Sequence, residues 1–228
     1  MPFDVQSWGE SFVRAVESAF GARIVCAGIQ GSRARGEAKP SSDIDTVLIL
    51  DELVTEDLIV YRALLQTLPN AELICGFVSG RMELTCWEPS ELVSFYFDTL
   101  PLKGDLEFLR PLLTAEAAQR AVLDGACGIY HACCHNVLFD HSVEILQALY
   151  KAAFFVLRAK VFSEGGTFFR REDKLIPNLC GADREVMERR AHLMEHAPEE
   201  TELIAETDLL LRWSSALIRA FPQFKLFS

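Results

Sequence analysis

The segment that most constrains this chain is GSRARGEAKPSSDID, Gly31 to Asp45, set between two apolar runs. Upstream, Arg23 to Ile29 is short and apolar, as expected of a buried strand. Downstream, Asp43 to Leu50 (DIDTVLIL) reads as a second strand rich in branched residues. Gly31-Ser32 therefore falls where one strand ends, and Asp43-Ile44-Asp45 where the next begins. Glycine lets a backbone approach a ligand closely, and a helix start offers unpaired N–H groups to phosphate oxygens. The Ser32 hydroxyl adds a donor. On a strand, residues two apart share a face, so Asp43 and Asp45 point one way while Ile44 and Thr46 point the other. Adjacent carboxylates repel unless a cation sits between them, and hard oxygen ligands suit Mg²⁺, which also takes substrate phosphates. The competing reading is a capped turn with a solvated strand-edge acid. Either motif alone would leave that reading ahead; the two together favour a metal and a phosphate.

The rest of the first half alternates helix and strand signals. Gln6 to Phe20 places Phe12, Val16 and Ala19 at helical spacing and is stopped by Gly21. Asp57 to Leu68 carries Leu58, Tyr61, Leu65 and Leu68 on one helical face. Two further strands are expected at Leu73–Val78 and Met82–Trp87, with Ser79-Gly80 as a hairpin turn between them. In the second of these Glu83 alternates away from the apolar side. Beyond the turn-rich stretch Thr99 to Gly104 the pattern becomes helical: Ala115–Phe139, Val143–Phe162, Arg184–His196 and Thr201–Phe221. The expected organisation is two domains, 1–110 and 111–228, an α/β half followed by a helical bundle.

Read together, strand, Gly-Ser, loop and Asp-x-Asp on the next strand resemble the signature of the DNA polymerase β-type nucleotidyltransferases. With Ala34, Gly36 and Ser42-Asp43-Ile44-Asp45, the form is similar to the small antibiotic (aminoglycoside and lincosamide) and minimal prokaryotic members. The motif spans about a tenth of the chain. The resemblance implies a fold of class α+β/α, a small mixed-sheet polymerase β-like domain followed by a C-terminal helical bundle. It implies an enzyme that moves a nucleoside monophosphate from Mg·NTP, with ATP the expected donor, to a hydroxyl of a small-molecule acceptor, releasing pyrophosphate. Asp43 and Asp45 would hold two Mg²⁺ ions, about 3.5–4 Å apart in sites of this kind. A third carboxylate on a neighbouring strand would complete the site. GRMELTCW resembles the R-x-x-E-x-T strand of the streptomycin/spectinomycin adenylyltransferases, one residue shorter after Arg81, which makes Glu83 the third metal-site acid or the base. Glu72 and Glu88 are weaker candidates. Glu144 is the alternative base, by similarity to kanamycin-type enzymes. Gly31, Ser32 and Arg33, with Lys151 from the helical half, would bind the triphosphate. Two alternatives stand beside this reading: an antitoxin-like transferase that nucleotidylates a protein, and a catalytically silent nucleotide-binding module.

Other features weigh less. Glu144, Lys151 and Arg158 recur every seven residues on Val143–Phe162, hence on one helical face, where a solvated charged stripe is as good a reading as a functional one. His131 and His135, with Cys134 beside them, have the i, i+4 spacing of a zinc pair but lack further ligands, so a packed or pocket-lining pair is expected. Arg170, Arg171 and Lys174 could meet phosphates or solvent. Arg189 and His196 match the loose spacing of HEPN ribonucleases, as chance allows. The net charge of −11 opposes binding of long nucleic acid; it would attract a cationic acceptor, but the favoured reading is that of an ordinary solubility device. Seven cysteines without framework spacing, with Cys26, Cys75 and Cys86 in apolar runs, point to a reduced, cytoplasmic setting. No apolar run is long enough for a membrane span and the N-terminus lacks a secretory pattern. Homo-oligomerisation is left open.

Overall fold

Asp4 starts the first helix. Its carboxylate accepts from the Gln6 N–H at 3.1 Å, satisfying one of the orphan donors of α1, Val5–Phe20. The structure, a computed structural model, describes residues 4–196 and 200–221, and the chain divides into two compact units, Met1–Leu113 and Thr114–Ser228. In the first unit α1 is followed by β1 (Ile24–Ile29), α2 (Gly31–Arg35), β2 (Ile44–Leu50), α3 (Thr55–Leu65), β3 (Ile74–Gly80), α4 (Arg81–Thr85), α5 (Pro89–Asp98) and β4 (Leu100–Gly104). The strands form one mixed sheet of order β3-β2-β1-β4; β2 and β3 are parallel, the other pairs antiparallel.

Both faces of this sheet are covered, which is why β2 reads as an almost unbroken apolar run. On one face Ala27, Ile29, Ile44, Leu48 and Leu50 pack with Trp8, Phe12, Val16 and Phe20 of α1 and Tyr61 of α3. On the other, Cys26, Val47 and Ile49 meet Leu84 of α4, Leu92 of α5, Leu106 and Leu109. Arg23, just before β1, fixes the sheet's far corner: its guanidinium donates to both Asp57 oxygens, at 2.7 and 2.9 Å, and to the Glu52 carbonyl.

Three expectations are corrected here. Met82–Trp87 is not a strand, and Ser79-Gly80 is not a hairpin turn. Those two residues end β3, and Arg81–Thr85 is helix α4. Alternation over so few residues fits either form, and the helix wins because it needs to bury only Leu84, leaving Met82 and Trp87 exposed. Thr99–Gly104 is not a connecting turn, since Leu100–Gly104 is β4. Proline disguised it: Pro101 is tolerated because β4 is an edge strand, and the pairing slips between Ala27 and Gly28, opposite Pro101.

The second unit is helical: α6 (Ala115–His135), α7 (Val143–Gly165), α8 (Glu172–Leu175), α9 (Gly181–Glu195) and α10 (Glu200–Ala220). Thr114 and Ser142 cap α6 and α7, each accepting from a backbone N–H at 3.1 Å. Between them the buried Asn136 amide closes the turn by bonding Ser142 N–H and C=O, both at 2.9 Å. The core is built from Leu146, Tyr150, Ala153 and Leu157 of α7 with Ile129, Cys133, Met187, Leu210 and Trp213. Arg158 departs from the expected charged stripe. It is fully buried, its guanidinium stacked on Phe154, Phe155 and Phe168, while Glu144 and Lys151 remain exposed.

Candidate active site

The end of β1, the short α2 and the start of β2 form one joint. Gln30 N–H donates to the Asp45 carbonyl at 2.7 Å, which locks the residue before Gly31 onto the aspartate strand. Gly31 has φ +69°, a left-handed conformation that favours glycine. A Cβ built there would stand 2.0 Å from Asp45 Oδ2, so the carboxylate lies directly against the Gly31 backbone. Ser32 follows, half-buried, in the first turn of α2, where backbone N–H groups have no intrahelical acceptor. The Gln30 side chain reaches from this joint to the Phe95 carbonyl (3.1 Å) and the Thr99 hydroxyl (2.7 Å), tying it to the end of α5.

Asp43 is exposed one residue before β2, and Asp45 is half-buried as its second residue. Arg33 sets the approach to them. It is buried, and its guanidinium donates to the Asp43 carbonyl at 3.0 Å and to the Ser42 carbonyl. Those contacts aim it at the loop backbone, so it holds the aspartates' loop in place. Ser42 adds a second fastening, its hydroxyl accepting from Lys39 N–H at 2.9 Å.

Glu83 does not join them. β2 and β3 are parallel, with Asp45 opposite Cys75 and Leu50 opposite Gly80. The Glu83 carboxylate folds back over Gly80, where a Cβ would meet its Oε2 at 2.2 Å. It therefore sits at the opposite end of the sheet, about 16 Å along the strands from Asp45 at the usual rise per residue. The expectation failed because it placed Glu83 on a strand; the turn into α4 carries it past the sheet's end. The residue that faces Asp45 across the strand pair is Cys75, exposed, on the side of the sheet that holds Val47 and Phe77. Thr46, on the other side, pins the two strands at this level by bonding Tyr61 Oη and the Cys75 carbonyl.

Lys151 and Glu144 lie exposed on α7 of the second unit. The Glu144 carboxyl sits in the first turn of that helix, where its own backbone N–H and the Ser142 hydroxyl hold it below the usual carboxylate range, which makes it a weaker base. His131 and His135 are exposed, not packed, and His135 bonds Asp140 at 2.8 Å. Among the described residues no three His, Cys, Asp or Glu side chains converge as a metal cage. Arg189 is engaged by the buried Glu206, which also accepts from Tyr150 Oη, so it is a structural ion pair. Of the cysteines placed in buried strands, only Cys26 is buried. No described helix is long and apolar enough to cross a membrane.

Sequence reasoning missed Gln30 and Cys75. The first depends on contacts 65 and 69 residues along the chain, which no local pattern displays. The second depends on strand register, which the sequence does not display.

Three comparisons bear on this geometry. The family model described as nucleotidyltransferase domain matches residues 10–93, which include every element of the joint. No curated protein sequence matches the chain. Among solved structures, a spectinomycin adenyltransferase from Enterococcus faecialis, determined with ATP and spectinomycin, aligns with a TM-score of 0.56 and 12% identity, covering 95% of this chain and 100% of that one. At that identity the likeness is one of fold. Residues 10–93 thus match a nucleotidyltransferase domain, and the chain shares the fold of that adenyltransferase.

Proposed function

We propose that this enzyme transfers a nucleoside monophosphate, AMP from ATP, to a hydroxyl of a small-molecule acceptor. The observation that supports it best is the seating of the Asp45 carboxylate on the Gly31 backbone, which puts a hard anionic ligand beside backbone donors for phosphate. Asp43 and Asp45 fit one Mg²⁺ carried by a triphosphate, since that ion is commonly held by one or two carboxylates together with substrate phosphates. A bound Mg²⁺ would neutralise phosphate charge there. Ser32 and the N–H groups at the start of α2 would steady the departing pyrophosphate. Arg33 keeps the Ser42–Asp43 loop in register with β2. The acceptor oxygen bonds the α-phosphorus as the bond to the β-phosphate oxygen breaks, and the hydroxyl proton is released.

The acceptor class rests on the likeness in fold to a protein determined with spectinomycin and ATP, together with the net charge of −11. Both favour a polyhydroxylated, cationic small molecule, and the charge disfavours long nucleic acid. The test is a pyrophosphate-release screen of each NTP with Mg²⁺ against hydroxylated antibiotics and metabolites. Acceptor-dependent release with ATP is expected. Release that is acceptor-independent, or absent with every NTP, would contradict the proposal.

A further inference from the structure

Resting on the reading of Asp43 and Asp45 as the pair that meets Mg·NTP, we infer that the neighbouring strand gives this centre no carboxylate. The position where one would stand is Cys75, and the chain's own ligands hold a single divalent ion. The register carries the argument. Cys75 is the parallel partner of Asp45, so the two side chains leave the sheet on the same face, with backbones about 4.8 Å apart across adjacent strands. The thiol is exposed, while Phe77, two residues on along that face, packs against Trp87 and Phe95. From Ile74 to Gly80, β3 contains no Asp or Glu. The nearest acids on either side are Glu72, exposed in the turn before β3, and Glu83, held at Gly80 by the far end of β2.

The chemistry then separates one ion from two. Mg²⁺ takes hard oxygen ligands, and a triphosphate supplies several to the ion it brings with it. A second Mg²⁺ beside the first needs further anionic oxygen to offset the repulsion between the ions, and a soft thiol is a poor substitute. The residues present therefore suit one Mg²⁺ and do not suit the two-ion clamp expected from the motif. Position 75 is also open to repair. The side chain is exposed on an edge strand, so a longer carboxylate there displaces no core residue.

Mn²⁺ binding, read by electron paramagnetic resonance with a non-hydrolysable ATP analogue, tests this on the full chain. The expected result is one tightly bound Mn²⁺ per chain in the wild type, one in Cys75→Ser, and two in Cys75→Glu. Melting temperatures confirm that each variant folds. Two ions in the wild type would overturn the inference, and loss of one of them in Glu72→Gln would identify the acid responsible. Loss of the single ion in Cys75→Ser would overturn it differently, by making the thiol a ligand. A folded Cys75→Glu that still holds one ion would show that position 75 does not face the centre. A wild type that binds neither Mn²⁺ nor analogue would instead sink the underlying assignment of Asp43 and Asp45.

Discussion

A methyl group on Gly31 would press into the Asp45 carboxylate and would also force a left-handed backbone on alanine. The backbone term alone is about 1–2 kcal/mol. Gly31→Ala should therefore lower the melting temperature modestly and abolish nucleotidyl transfer, because Asp45 must move away from the phosphate site. A fully active, equally stable Gly31→Ala would mean that the joint tolerates a displaced aspartate. Arg33 makes a different prediction. Its hydrogen bonds to the Ser42 and Asp43 carbonyls are charge-assisted, a kind worth about 1.5–3 kcal/mol when a partner is lost. Arg33→Met should cost stability in that range by denaturant unfolding. Were Arg33 a phosphate ligand instead, the variant would lose ATP affinity while keeping its stability.

Elements show most clearly what the sequence could and could not convey. The corner where Arg23 clasps Asp57 ties the start of β1 to α3 and depends on a carboxylate held down to about 2, chiefly by its hydrogen bonds to Arg23. An unfolded Asp titrates near 3.9, so this contribution is present above that pH and fades as the pH falls toward about 2. Wild-type stability should fall over that window, and Asp57→Asn should start lower at neutral pH and fall less. Identical pH profiles for the two proteins would mean that the clasp contributes nothing. Strands β1 and β2 and the long helices α6 and α7 were legible because the apolar pattern persisted over whole elements. The stretch from Ser79 to Gly104 was not. A helix burying one leucine mimicked an alternating strand, and an edge strand with a proline mimicked a turn. That misreading moved one site residue: Glu83 as a strand acid would have faced the aspartates, whereas Glu83 on α4 lies past the sheet's end. Asp45 and Gly31 do lie together in the fold, because their pairing is local, one strand end against the next strand's start.

For the whole molecule, burial predicts how its cysteines react. Cys26 in the first unit and Cys133 in the second are buried, and burial pushes both thiols up to about 12. Alkylation of the native protein, followed by mass spectrometry, should modify Cys75, Cys86, Cys127 and Cys180 and spare those two until their units unfold. Mg·ATP should slow modification of Cys75 alone among the exposed set, because only Cys75 faces Asp45. Equal rates with and without nucleotide would place the triphosphate elsewhere.

The account turns on Asp43 and Asp45 meeting Mg·NTP beside Gly31, and transfer of α-labelled ATP onto an acceptor found by the pyrophosphate screen measures that directly. Wild type with Mg²⁺ should label the acceptor, and chelation should abolish labelling. Asp43→Asn and Asp45→Asn should each lose transfer while keeping the wild-type melting temperature or exceeding it, since each removes one of two neighbouring like charges. Near-normal labelling by either variant at saturating Mg·ATP would contradict the account.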